Sequence, residues 1–128
     1  MSLLLDTHAA LWLVGGDERL STAALDRISP LDRDDVYISD LMLFEIGVLV
    51  SKRRVVVNEP LTSFLRDFSN HFRILPVDAE IAALAVELLL PQADPFDRIF
   101  VATANRHKLP LVTRDREIRR SGLVKTIW

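Results

Sequence analysis

Four acidic residues stand at places in the chain where a carboxylate could do chemistry. They are Asp6, Glu45, Asp97 and Asp115. Asp6 directly follows the apolar run Leu3–Leu5, and Asp115 lies two residues beyond Thr113, which closes another apolar run. In an open parallel α/β sheet, ligands bind beyond the carboxyl ends of the strands. Asp6 and Asp115 are therefore expected at the ligand-binding edge of such a sheet.

Glu45 is the most informative of these acids because its neighbours are apolar on every face of a helix. It is flanked by Leu41–Phe44 and by Ile46–Val50. A carboxylate rarely lies in such surroundings unless something pairs with it. No basic residue stands within one helical turn of Glu45, so its partner must come from elsewhere in the fold. A metal ion is one candidate.

Convergence of the four acids would create a strong need for a cation. Two carboxylates about 4 Å apart repel by roughly 4 kcal/mol at an effective dielectric constant of about 20. Such a cluster must bind a cation or protonate in part. Oxygen ligands without cysteine or a histidine pair favour Mg²⁺ or Mn²⁺ over zinc. Hard ions held by a few carboxylates are the apparatus that cleaves phosphodiesters.

Each acid also has a purely structural interpretation. Asp6 and Asp94 could be helix N-caps, and Asp97 could stabilise a helix dipole from the first turn. Asp115 could be a turn residue, and Glu45 could extend its carboxylate to solvent from a partly exposed face. The four acids at consistent topological places weigh more than any one of them.

Short apolar runs alternate with helical segments, which predicts a three-layer α/β/α sandwich with a mainly parallel sheet of four to five strands, in a single domain over residues 1–128. The predicted strands are Leu3–Leu5, Val36–Ile38, Arg73–Leu75, Leu111–Thr113 and Val124–Ile127. The predicted helices are Thr7–Val14, Thr22–Ile28, one from Ser39 or Asp40 to about Ser51, one from Pro60 through Phe68, one from Asp78 through Leu90, and one from Asp94–Pro95 to about His107.

Composition excludes several classes of protein. The 128 residues are 49% hydrophobic and 27% charged, which excludes a disordered chain. There is no cysteine, which removes disulfides, zinc–thiolate sites and cysteine nucleophiles. The net charge of -2 does not indicate a nucleic-acid binder, so such a role must come from local charge. With no signal peptide and no long apolar run, we expect a cytoplasmic protein that does not enter membranes.

Four motifs, spread along almost the whole chain, resemble those of the PIN-domain ribonucleases, in particular the VapC-type toxins of toxin–antitoxin pairs. The motifs are Leu4-Leu5-Asp6-Thr7-His8-Ala9-Ala10-Leu11-Trp12, Phe44-Glu45-Ile46, Asp94-Pro95-Phe96-Asp97-Arg98-Ile99-Phe100-Val101-Ala102-Thr103-Ala104 and Leu111-Val112-Thr113-Arg114-Asp115. The Asp-Pro-Phe-Asp-Arg stretch before an apolar, alanine-rich helix is the most specific of them.

The resemblance implies a PIN-like fold whose acidic pocket holds Mg²⁺ or Mn²⁺ and hydrolyses RNA to leave a 5′ phosphate and a 3′ hydroxyl. The four acids of the family fall on Asp6, Glu45, Asp97 and Asp115, which become the expected catalytic residues and metal ligands. Candidates for supporting roles are Thr7, Asp94, Arg98 and Thr113. Asp40 departs from the small or hydroxylated residues that related toxins often carry there. The implied partners are the RNA substrate, a cognate VapB-like antitoxin and a second copy of the chain.

Local clusters of basic residues could bind RNA phosphates around the pocket, or they could be solvated surface. They are Lys52–Arg54, Arg98, Arg106–Lys108, Arg114, Arg116, Arg119 and Arg120. Arg98, next to a proposed ligand, is expected to pair with Asp94 or Asp97 rather than with RNA. No histidine is assigned to catalysis.

Two other classes of protein compete with a nuclease. A phosphoacceptor signalling module needs an acidic pair after the first strand and a lysine after a later one, and the residues at those places do not match. A PIN-like scaffold that binds RNA or protein without cutting is the stronger alternative. Cation binding with no turnover would favour it, whereas the four intact acids favour the nuclease.

Overall fold

The computed structural model describes all residues, 1–128, and places five short parallel strands in one sheet of order β3-β2-β1-β4-β5. The strands are β1 Leu3–Leu5, β2 Val36–Ser39, β3 Arg73–Leu75, β4 Leu111–Val112 and β5 Thr126–Ile127. The predicted parallel sheet of an α/β/α sandwich is confirmed, and its fifth strand is real.

Seven helices and one short 3₁₀ helix, Arg33–Asp35, connect the strands. The helices are α1 Thr7–Gly15, α2 Thr22–Ile28, α3 Leu41–Ser51, α4 Leu61–Ser69, α5 Ala79–Glu87, α6 Pro95–His107 and α7 Arg116–Ser121. None of them is long and apolar enough to cross a membrane.

The direction of strand addition reverses beside β1. The chain adds β2 and β3 on one side of β1 and then β4 and β5 on the other, so Leu4 pairs with both Tyr37 and Leu111. Such a reversal is a topological switch point, and the crevice beyond the strand ends is the usual ligand site of an open α/β sheet. Asp6 follows β1 and Thr113 follows β4, so both stand at this crevice.

The buried core fixes the elements that border the crevice. All three residues of β1 and both residues of β4 have no exposed surface. In α6, the segment from Phe100 to Ala104 is buried at every position, which holds the helix against the sheet. The first turn of α6 carries Asp97 and is therefore anchored to rigid structure.

Helices α5 and α7 differ most from the sequence prediction. Helix α5 ends at Glu87 rather than Leu90, because Leu88 takes an extended conformation and the following turn is bound by Arg98. Helix α7 was not predicted. Asp115, interpreted as a turn residue, is its N-cap, with the carboxylate accepting a hydrogen bond from Ile118 N.

Helix α3 is buried on one side only. Met42, Glu45 and Ile46 are buried, whereas Phe44 is 64% exposed. The ring of Phe44 lies 6.2 Å from the ring of Phe96 at the start of α6.

Candidate active site

An open acidic pocket of about 290 Å³ lies at the switch point, between the ends of β1 and β4 and the start of α6. Three of the four acids proposed from the sequence line it. The lining residues are Asp6, His8, Trp12, Asp97, Arg114 and Asp115. Five acids act on each other here, because Asp97 is repelled by Asp6, Glu45, Asp94 and Asp115.

Three of these five acids also hold the start of a helix. Asp6 Oδ1 accepts from Ala9 N at 2.9 Å in α1, Asp94 Oδ1 from Asp97 N at 2.8 Å in α6, and Asp115 Oδ1 from Ile118 N at 2.9 Å in α7. The role of these acids as N-caps is therefore compatible with a role in the site. In each case the bond uses one carboxylate oxygen and leaves the other without a backbone partner, while the helix N-terminus fixes the side chain.

Glu45 is buried, with 9% of its surface exposed, and does not reach solvent as one interpretation of the sequence allowed. Its partner does come from elsewhere in the fold: the Thr7 hydroxyl of α1 donates a hydrogen bond to Glu45 Oε1. Burial raises the pKa of Glu45, the bond from Thr7 opposes that rise, and repulsion from Asp94 and Asp6 adds to it. Thr7 is itself buried, so the pair is rigid.

The carboxyl of Asp97 is strongly perturbed by its surroundings. Its pKa is raised to about 7, first by burial and then by repulsion from Asp94, Asp6, Glu45 and Asp115. No cation forms a salt bridge with it, since the one ion pair of the structure joins Arg19 to Asp17. The pocket therefore carries more negative charge than its protein surroundings compensate.

Burial raises the pKa of Asp6 as well, but here neighbouring groups oppose the rise. These groups are the Thr113 hydroxyl, the Ala9 N–H and the charge of His8, which lower the pKa. Repulsion from Asp115 raises it slightly. Thr113 is buried and its Oγ1 also accepts from Asp115 N at 3.1 Å, so one hydroxyl links the environments of two acids.

Arg98 pairs with neither Asp94 nor Asp97, and that expectation was wrong. Its guanidinium donates to four backbone oxygens, those of Ala85 at 2.8 Å, Leu90 at 2.6 Å, Val86 at 3.1 Å and Leu88 at 2.8 Å. These are carbonyls that the end of α5 and the following turn leave without a helical partner. Arg98 thus fastens α5 to the first turn of α6, directly beside Asp97.

Asp40, whose role the sequence left open, faces a different part of the fold. Its Oδ1 accepts from Val77 N at 3.3 Å, which ties the start of α3 to the turn between β3 and α5. It does not line the acidic pocket.

The basic residues are dispersed rather than gathered at the pocket. Of the predicted cluster, Arg114 alone lines it. Arg106, His107 and Lys108 close the C-terminal end of α6, nine or more residues from Asp97, which places them roughly 14 Å or more along the helix. Of the two interpretations of the sequence, these three residues therefore fit the solvated end of a helix and not the rim of the pocket. Lys108 instead lines a cavity of about 720 Å³ at the amino ends of β1, β4 and β5, which contains no acid.

His8 and Trp12 are pocket residues that the sequence reasoning did not assign. Their rings lie 5.6 Å apart on the same face of α1. The signal was present in the sequence, because both follow Asp6 and their spacing of four residues places them on one helix face. Without the position of α1 relative to the pocket, that face could not be distinguished from an ordinary core stripe.

The donor set of the pocket fits a hard divalent cation. The available ligands are carboxylate oxygens, the chain has no cysteine, and His8 is the single histidine of the pocket. Mg²⁺ and Mn²⁺ prefer such oxygen donors. No three acidic or histidine side chains stand at positions from which they could hold one ion together. The fit of the pocket to a divalent cation therefore rests on the chemistry of its oxygen donors and on the repulsion between Asp97 and the neighbouring acids.

Fold and pocket together define the class of this protein: an α/β domain with a carboxylate-lined site at the switch point of a parallel sheet. Comparison with known proteins agrees. The PIN domain family matches residues 3–122. Ribonuclease VapC22 of Mycobacterium tuberculosis is 34% identical over 132 aligned positions, which span 99% of this chain and 98% of that protein.

Solved structures share the fold at lower identity. VapBC2 of Rickettsia felis, determined with a DNA fragment from its promoter, matches with a TM-score of 0.72 at 20% identity, over 98% of this chain and 97% of that one. VapC20 of M. tuberculosis, described as a sarcin–ricin loop cleaving toxin, matches with a TM-score of 0.69 at 19% identity, over 99% and 100%. The chain belongs to the PIN domain family.

Proposed function

We propose that this protein is a metal-dependent endoribonuclease and the toxin component of a type II toxin–antitoxin system. One observation carries the proposal: five acids crowd the switch point, where burial and then repulsion from the other four raise the pKa of Asp97 to about 7. The 34%-identical relative is named a ribonuclease, and the structural neighbour VapC20 is described as a toxin that cleaves the sarcin–ricin loop. Because RNA is the proposed substrate, we place the activity in the cytoplasm. We assign it to a single domain over residues 1–128.

Asp6, Asp97 and Asp115, with Glu45, are the residues proposed to hold Mg²⁺ or Mn²⁺. A divalent cation bound there would neutralise charge on the scissile phosphate and lower the pKa of a bound water. The N-cap bonds of Asp6 and Asp115 hold these carboxylates in place before substrate arrives. Arg98 does the same for Asp97 through the backbone of α5 and α6.

Glu45 is the proposed general base. The Thr7 hydroxyl occupies Oε1, so Oε2 is the oxygen that accepts a proton from the attacking water. The raised pKa of Glu45 brings this carboxylate closer to neutral pH, which favours proton transfer. The water oxygen bonds to phosphorus, the bond from phosphorus to the 3′ oxygen breaks, and solvent protonates that oxygen. The products carry a 5′ phosphate and a 3′ hydroxyl.

Cleavage of a mixed RNA pool by the purified protein tests the proposal. With Mg²⁺ or Mn²⁺ we expect new 5′-phosphate ends, and we expect none after chelation or in Glu45→Gln. Restoring the cation after chelation must restore cleavage. A folded wild-type protein that binds the cation and RNA but produces no new ends would favour the alternative, a PIN-like scaffold that binds RNA or protein without cutting.

A groove of about 460 Å³ beside the pocket is the proposed docking site of the antitoxin. It runs between α1, the end of α3 and α4, and its lining includes Leu11, Leu49 and Phe64 with the cations Arg19 and Arg54. His8 and Trp12 line both this groove and the acidic pocket, so the two are continuous. An amphipathic helix with a basic tail would fill the groove and reach the acids.

A homodimer is part of the same proposal. Five large apolar side chains are 64% or more exposed: Met1, Phe44, Val56, Val86 and, most of all, Leu89 at 89%. Side chains of this kind are typical of contacts between subunits. Sedimentation of the wild type should give a dimer, and Leu89→Lys should shift it toward monomer if Leu89 lies in the contact.

A further inference from the structure

We propose that Arg114 binds a phosphate of the RNA strand next to the scissile one, with its guanidinium held in place by Trp12. The inference rests on the proposed function and names a substrate-binding residue within it. Arg114 lines the acidic pocket, directly before Asp115, and its side chain is exposed at the pocket mouth.

Trp12 gives Arg114 a fixed support. The guanidinium carbon of Arg114 lies 4.9 Å from the centre of the Trp12 ring, within the range of a cation–π contact. Trp12 is 7% exposed and is held between His8, 5.6 Å away, and Trp128, 6.0 Å away. A side chain resting on a buried ring loses less conformational freedom when it binds a ligand than a free surface arginine does.

The guanidinium nonetheless makes no hydrogen bond and no salt bridge in the structure, although it lines a pocket with three carboxylates. Arg19, which stacks on the same ring at 5.2 Å, is fully engaged, because it donates to both carboxylate oxygens of Asp17. Arg114 therefore keeps its planar set of N–H donors available. Donors of this geometry bind a phosphate through two parallel hydrogen bonds.

RNA is the anion that the position favours. The acids inside the pocket repel phosphates, so a strand that enters it needs a cation at the mouth. Arg98 cannot serve, since its donors are used on backbone carbonyls, and the cations at the end of α6 are too distant. Because Arg114 is exposed whereas Asp6 and Asp97 are half-buried, we infer that it contacts a flanking phosphate and not the one under attack.

Steady-state cleavage of a short single-stranded RNA separates this role from a structural one. We expect Arg114→Gln to raise KM roughly tenfold with little change in kcat, as for loss of a hydrogen bond to a charged group. Arg66→Gln is the matched control, since Arg66 is exposed on α4 and lines neither the acidic pocket nor the groove beside it, and it should change KM less than twofold. Arg114→Lys should recover part of the loss, because it keeps the charge but not the planar donors.

Salt dependence of RNA binding gives a second readout that needs no turnover. In an Asp97→Asn background, loss of one phosphate contact should reduce the slope of log K against log salt concentration by about 0.7. An Arg114→Gln variant with the wild-type KM and the unchanged slope would overturn the inference. Absence of cation-dependent cleavage by the wild type would instead count against the proposed function, and the binding slopes would then decide the role of Arg114 by themselves.

Discussion

Replacement of Asp97 by asparagine should stabilise the protein in the presence of a chelator. The carboxylate of Asp97 is ionised at a cost, because burial and four neighbouring acids raise its pKa to about 7 from an ordinary value of 3.8. Asparagine has nearly the same shape but carries no charge. The N-cap of α6 is unaffected, since Asp94 accepts from the backbone N–H of residue 97.

The size of the effect follows from the two pKa values. In the unfolded chain Asp97 loses its proton near pH 3.8, and in the folded protein near pH 7. The folded state therefore binds the proton more tightly, and the stability of the wild type falls as the pH rises from about 4 to about 7. The full difference corresponds to about 4 kcal/mol at 1.36 kcal/mol per pH unit, an upper limit. Solvent in the open pocket screens the repulsion, so we expect roughly 1–2 kcal/mol above pH 7 and little at pH 4.

Urea unfolding followed by circular dichroism, at pH 4.5 and pH 8 with a chelator, measures this difference. Asp67→Asn is the matched control, because Asp67 is exposed on α4 and makes no side-chain hydrogen bond. With saturating Mg²⁺ at pH 8, the wild type should instead be more stable than Asp97→Asn. Binding of the cation stabilises the wild type, whereas the variant lacks one of the carboxylates proposed to hold it. If Asp97→Asn is less stable than the wild type at pH 8 with chelator, then the ionised carboxylate of Asp97 does not destabilise the folded protein.

Two further perturbations test how the pocket is supported. Arg98→Ala removes four hydrogen bonds to carbonyls at the end of α5 and in the turn after it, and should destabilise the protein by roughly 2–4 kcal/mol in urea unfolding, with a partial recovery in Arg98→Lys. Equal stability of the alanine variant would show that solvent replaces these bonds. Thr7→Val removes the donor to Glu45, so the pKa of Glu45 should rise further and the acidic limb of the profile of kcat/KM against pH should move to higher pH. If the acidic limb of this pH profile stays at the same pH, Glu45 is not the group that accepts the proton.

Much of the fold could be predicted because local signals and tertiary contacts agree. The run Leu3–Leu5 is apolar without alternation, as a strand covered on both faces must be, and it forms the central strand β1. Asp78 and Asp94 predicted helix starts, and both accept the expected capping bond. Helix α7 could not be predicted because it has six residues and one buried side chain, Ile118, which is too little for a hydrophobic periodicity to be recognised.

The acids of the pocket could be found from the sequence, since Glu45 in an apolar helix and Asp6 after a strand are exceptional in local terms. The contacts that organise them could not. Arg98 binds carbonyls that lie 8 to 13 residues away, and these come within its reach because α5 stops early and the chain turns. The contact between Arg114 and the Trp12 ring likewise depends on the tertiary fold, which brings the loop after β4 onto α1. The two residues are about one hundred positions apart in the sequence.

Cleavage by Asp97→Asn decides whether the acidic pocket is a cation-dependent ribonuclease site. The measurement is single-turnover cleavage of a defined RNA with Mg²⁺ by the wild type, by Asp97→Asn and by the control Asp67→Asn. We expect 5′-phosphate ends from the wild type and the control, and a loss of at least about a hundredfold in Asp97→Asn while its fold is retained. A folded Asp97→Asn protein that cleaves as fast as the wild type would contradict this expectation.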